Sequence, residues 1–177
     1  MPNVADLPAP PPPNGAEVFI PPSSEDWRAW LAEHPDRDEG VWLVYRKAKS
    51  EWEGPRQPEL LDEALCFGWI DSKVVPVDDD RTMQWFSPRR AGGIWSGRNR
   101  ARITELELEG RIADPGRAAI EQAKRDGSWE QSDSVDALEV PEDLTEALAS
   151  HPEASAAFDS LSASRKKQYL WLIHSAK

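Results

Sequence analysis

One cysteine, Cys66, is all the thiol chemistry this 177-residue chain has, so no intrachain disulfide can staple it. That scarcity fits a reducing compartment, and the cytoplasm is the expected setting. No apolar run reaches the ~18 residues that a membrane-crossing helix needs. The N-terminus also lacks the basic segment and apolar stretch of a secretory signal. Histidine is scarce too: His34, His151 and His174 show no ligand spacing, and two of them precede proline at expected helix ends. No metal and no cofactor are therefore expected. The stretch Arg90-Ala91-Gly92-Gly93 lacks the lysine and hydroxyl residue of a nucleotide-binding loop.

Tryptophan and carboxylate are plentiful by comparison. Nine tryptophans within a 39% hydrophobic composition supply apolar area for an ordinary core. The net charge of −11 repels phosphate over most of the surface, which argues against bulk binding to nucleic acid or anionic membranes.

Eight of the sixteen prolines lie in residues 1–22, including the run Pro10 to Pro13. Proline removes backbone donors and restricts its neighbours, so this reads as a flexible leader, with Val18 to Ile20 able to add one short strand. An α+β core over 23–127 follows. A helix starts at Ser23 or Ser24, placing Trp27, Trp30, Leu31 and His34 on one stripe before Pro35. Gly40 to Tyr45 reads as a buried strand, and Pro58 to Phe67 as a helix closed by Gly68. Trp69–Val77 and Thr82–Phe86 form a hairpin around Asp78 to Arg81. Helices over 97–112 and from Asp114 to Gly127 complete the core. An acidic linker over 128–140 leads to a C-terminal unit over 141–177 of about three short helices, sharing Leu144, Leu148, Phe158, Leu161, Tyr169, Leu172 and Ile173 as a small core. The expected fold class is α+β: a small antiparallel sheet with flanking helices, followed by this helical segment.

The charge reverses sign in one place. Residues 81–102 hold six arginines and no acid; with +6 in this window and −11 overall, the other 155 residues carry −17. Arg89 and Arg90 sit in a loop between aromatic residues. Ser96 precedes a helix whose first N–H groups are expected to be free, and Trp95, Arg98, Asn99 and Arg100 lie beside it. Guanidinium forks next to a helix N-terminus suit an oxyanion, and Trp85 and Trp95 offer stacking faces. The competing reading is an internal ion-pair network, with Arg98 and Arg102 reaching Glu105 and Glu109 at helical spacing. Asp71 in its apolar strand is a salt-bridge partner or an acid/base. Cys66, at the C-terminal end of its helix, reads as a buried structural thiol.

The pieces EALCFGWIDS (Glu63 to Ser72), Phe86-Ser87-Pro88-Arg89-Arg90, Trp95-Ser96 followed by Asn99-Arg100, and the closing Ser175-Ala176-Lys177 stand in an order that resembles the YdeI/OmpD-associated, or bacteriocin-protection, family. The likeness runs from about Trp30 to Lys177. It implies a small soluble bacterial protein and no particular reaction. Three functions stay open. The first is a non-catalytic binding protein holding a phosphate- or carboxylate-bearing ligand on Arg89, Arg90, Trp95, Ser96, Arg98, Asn99 and Arg100. The second is a small enzyme with Asp71 as acid/base and Arg89 or Arg90 as oxyanion clamp. The third is a protein-interaction module using the acidic C-terminal helices.

Overall fold

In the computed structural model, residues 2–176 are described; Met1 of the leader and Lys177 of the closing motif lie outside the described residues. Four strands, β1 (Val18–Phe19), β2 (Val41–Arg46), β3 (Trp69–Pro76) and β4 (Arg81–Pro88), form one sheet in the order β1-β2-β4-β3. β4 runs antiparallel to both neighbours, and β1 pairs parallel to β2. The β3–β4 turn closes on Asp78, whose carboxylate accepts from the Arg81 N–H at 2.7 Å and from Arg81 Nε at 2.9 Å. A run of three aspartates thus makes a tight turn because one of them is satisfied locally.

The apolar run in β2 reflects burial on both faces. Val41, Leu43 and Tyr45 meet helices α1 (Ser24–Glu33) and α2 (Gln57–Cys66), in a core with Trp27, Leu31, Leu60, Trp69 and Phe86. Ser23 caps α1 by accepting from the Asp26 N–H, and the Trp27 indole donates to the Leu60 carbonyl at 3.1 Å. Trp69 is buried, edge-on to Trp27 at 5.8 Å. Behind α2, helices α3 (Gly97–Leu108) and α4 (Asp114–Asp126) build a second core from Leu65, Cys66, Trp95, Ile103, Leu106 and Ile120. α4 can approach only because Gly116 has no side chain: a Cβ there would stand 2.1 Å from the Cys66 carbonyl oxygen. α3 is four residues shorter than its pattern suggests, because the chain turns after Leu108 and the Arg111 N–H returns to the Leu106 carbonyl.

The other sheet face corrects the expectation of a flexible leader. Trp42, Val44 and Met83 would be bare there, and residues from the N-terminal segment, Ala16, Val18 and Ile20, pack over them. Asn14 accepts from the Trp42 indole at 2.9 Å, and the Pro8 carbonyl accepts from Arg81. Further back, Val4 in a short 3-10 turn (Val4–Asp6) is fully buried, its N–H bonded to the Glu53 carbonyl. Proline content predicted few internal hydrogen bonds; the segment instead borrows partners from the sheet and the 47–56 loop.

Residues 128–140 are likewise no solvated linker. A short helix, α5 (Asp133–Asp136), sits there with Ser128, Ser132 and Val135 buried. Three helices follow, α6 (Glu142–Ala149), α7 (Pro152–Asp159) and α8 (Ala163–Ser175). The small shared core expected for them does not close: α6 and α7 bury no residue, α8 buries only Leu170, and Tyr169 and Leu172 are exposed.

Val4→Ala should lower stability by about 2 kcal/mol, from two lost methyl groups and the gap left behind. The urea midpoint checks this; an unchanged midpoint would mean that residues 2–8 do not pack.

Candidate functional site

Arg89 lies just past β4, where its N–H donates to the Gly68 carbonyl at 2.9 Å. Its guanidinium lies over the Trp95 ring at 3.6 Å from the centroid, and Nη1 donates to the Ile94 carbonyl at 2.9 Å. Its Nε and Nη2 are buried and have no partner among the described residues. Burial pulls this guanidinium down to about 10, against the attraction of Asp71. Trp95 is therefore a buried platform beneath an arginine and offers no open stacking face.

A hollow of about 40 Å³ opens beside Arg89, lined also by Arg90, Gly92, Gln122 and Asp126. Arg90 is exposed and pairs with no described residue. Asp126 accepts from the Gly92 N–H at 3.2 Å and from the Ser128 hydroxyl and N–H at 2.6 and 3.0 Å. The Ser128 hydroxyl bond leads in holding this carboxylate down to about 2, so it is charged at neutral pH. Two guanidinium groups and one carboxylate leave the rim of the hollow with one positive charge.

The helix start expected to be free is already occupied. Ser96 caps α3 by accepting from the Asn99 N–H, and the Gly97 N–H donates to Asp136 at 2.8 Å. Asp136 also accepts from the Ser132 hydroxyl at 2.8 Å and from Lys167 at 2.9 Å. Arg100 bonds Asp133 and lies 4.0 Å from Asp136. An internal carboxylate thus fills the anion position at this N-terminus. Arg98 and Asn99 face elsewhere, lining a separate hollow with Asp62 and Glu105. Of the seven candidate residues, Arg89, Arg90 and Trp95 line one hollow, Arg98 and Asn99 line another, and Ser96 and Arg100 lie at the capped helix start.

Asp71 is engaged by two amides, Gln84 at 2.7 Å and Gln57 at 3.0 Å, and Gln84 in turn accepts from the Tyr45 hydroxyl at 3.0 Å. Burial, aided by the Asp71 charge, pushes the tyrosine up to about 12. The partner expected for Asp71 was an arginine; the observed ones are neutral. Asp71 is not among the residues lining the hollow at Arg89.

Sequence reasoning missed the acidic centre on α2. Glu63 is buried between Arg28 at 2.7 Å and Arg111 at 2.6 Å. Asp62 takes Arg102 at 2.6 Å, and Arg102 also reaches Glu105 on α3 and Glu109 just past its end, as the network reading anticipated for that arginine. The signal available was two adjacent acids, Asp62 and Glu63, inside the apolar stretch of α2 between Leu60 and Cys66.

Residues 19–119 match the family model described as a domain of unknown function, DUF8412. Residues 137–177 match the model described as bacteriocin-protection, YdeI or OmpD-associated. No curated protein and no solved structure matches the chain. Among the described residues no helix is long and apolar enough to cross a membrane.

Cys66 is buried, and burial raises its pKa, with Glu63 adding to the effect and Arg28 opposing it. A thiol held above its ordinary range stays protonated at neutral pH. Labelling by a thiol reagent should be slow in the native protein and fast after unfolding; rapid native labelling would show the site to be open.

Proposed function

The chain belongs to the DUF8412 family and carries a YdeI/OmpD-associated segment at its C-terminal end; on the geometry of its own side chains, we propose that it is a non-catalytic binding protein whose anion site is formed by Arg89 and Arg90. The observation that carries this reading is the buried guanidinium of Arg89 with two unpartnered donor atoms. A buried charge left without hydrogen-bond partners costs several kcal/mol. A carboxylate or small inorganic anion in the adjoining hollow would supply the missing acceptors, and the guanidinium edge suits a two-oxygen group. The net charge of +1 at the rim favours a monoanion, and about 40 Å³ is room for the anionic group alone. The body of a larger phosphate- or carboxylate-bearing ligand would lie outside, against Arg90. The cytoplasm is the proposed compartment, from the single cysteine.

The acid/base role for Asp71 gains no support, because its carboxylate is held by Gln57 and Gln84. An interaction module has one observation in its favour: α6 and α7 bury no residue of their own.

Titration with formate, acetate and inorganic phosphate at low ionic strength should raise the melting temperature, with formate and acetate more effective per unit of charge. The effect should shrink as salt screens Arg90. Arg89→Ala should weaken formate binding about tenfold or more, as expected for the loss of charge-assisted donors, while the fold survives. If the parent shows no anion response, or if Arg89→Ala with Arg90→Ala unfolds the chain, the arginines are structural and the proposal fails.

A further inference from the structure

A second, much larger hollow meets the first at Arg90. It is an open cleft of about 660 Å³, lined by Trp85, Ser87, Asp38, Glu39 and Gly40 together with Arg90. That volume lies in the range of small-molecule sites. Trp85 is fixed in its wall. The ring packs edge-on to Trp42 at 5.3 Å, and it rests on Gly40 so closely that a Cβ there would stand 2.3 Å from it. Any side chain at position 40 would push the indole out of place.

The charges around this cleft are sorted. Arg37 also lines it, but its guanidinium is engaged by Glu17 at 2.7 Å and by the Glu39 and Gly40 carbonyls at 3.0 and 3.2 Å. That arginine holds the 37–40 loop in place. The side chains of Asp38 and Glu39 are exposed and have no partner among the described residues. Arg90, which lines the same cleft, equally has no side-chain partner among the described residues. The result is two free carboxylates, one free guanidinium and a half-buried indole around one space.

We infer that this cleft binds a short zwitterionic molecule, with its ammonium group on Asp38 and Glu39, its carboxylate on Arg90 and an apolar middle against Trp85. A simple anion entering the cleft meets two carboxylates, and a simple cation meets a guanidinium. A molecule carrying both charges, one at each end, is opposed by neither. A short peptide with free ends and a central aromatic residue has this chemistry. The inference extends the anion-binding reading through Arg90, and otherwise rests on residues that take no part in the smaller hollow.

The test is isothermal titration of the full chain at low salt with Gly-Phe-Gly, its N-acetylated form and its C-terminal amide. The free peptide should bind saturably, and each cap should weaken it about fivefold, the scale of an exposed charge pair. With Asp38→Asn and Glu39→Gln combined, acetylation should no longer matter; with Arg90→Gln, amidation should no longer matter. Because these side chains are exposed, the variants test the site without disturbing the core. Equal binding of all three peptides, or no saturable binding of the free one, overturns the inference. Formate titrated into the same preparation separates the two readings. Peptide binding without a formate response removes the Arg89 site alone, and a formate response without peptide binding removes the cleft alone.

Discussion

Glu63 has its carboxylate nearly out of water between Arg28 of α1 and Arg111 beyond α3. Burying it is tolerable only because both oxygens are met by guanidinium donors at 2.7 and 2.6 Å, and loss of either arginine would leave a charge in a poor dielectric. Two cores are hung on the helix that carries it. Leu60 and Ala64 of α2 face the sheet core, and Leu65 and Cys66 face the second core with α3 and α4. The position of α2 therefore sets where Gly68 lies, and the Gly68 carbonyl fixes the backbone of Arg89.

The arginine-rich tract illustrates how a formal charge count misleads about a surface. Six positive charges in 22 residues suggest an open basic face. In the fold, Arg81 closes a turn on Asp78, Arg100 pairs with Asp133, and Arg102 with Asp62. Three of the six thus neutralise acids drawn from the rest of the chain. Arg89 lies on Trp95 with Nε and Nη2 buried, which leaves Arg90 and Arg98 as the outward cations. Electrostatic attraction over a distance is correspondingly weak, and local geometry has to supply what net charge does not.

Elements whose causes are local could be read directly from the chain. Ser23 with Glu25 and Asp26 marks the start of α1, and the unbroken apolar run at Val41 to Tyr45 marks a strand buried on both faces. The hairpin around Asp78 to Arg81 follows from two β-type runs flanking a short polar turn. What stayed hidden depends on partners far along the chain. Asp133 reaches Arg100 across 33 positions, and Asp62 reaches Arg102 across 40. A serine-rich acidic stretch looks like a solvated linker until its counter-charges are placed beside it. The proline segment follows the same rule. Proline cannot donate, but Asn14 can accept from Trp42 of the sheet and Val4 can be buried against the loop at Glu53 and Gly54, partners that only the folded chain brings near. Arg89 and Arg90 were legible as candidates, whereas the small hollow they share, and the larger one that Arg90 also lines, depend on contacts with Asp126 and Gly40 far along the chain.

The open packing of α6 and α7 has a consequence for how the molecule comes apart. A helix pair with no buried side chain has little beyond its own backbone bonds to resist opening, so its free energy of opening is far below that of the sheet and α2. Amides of 142–159 would exchange with solvent orders of magnitude faster than those of β2 and β4. A protease offered the native protein would make its early cuts there, before the tryptophan-lined interior loosens at all.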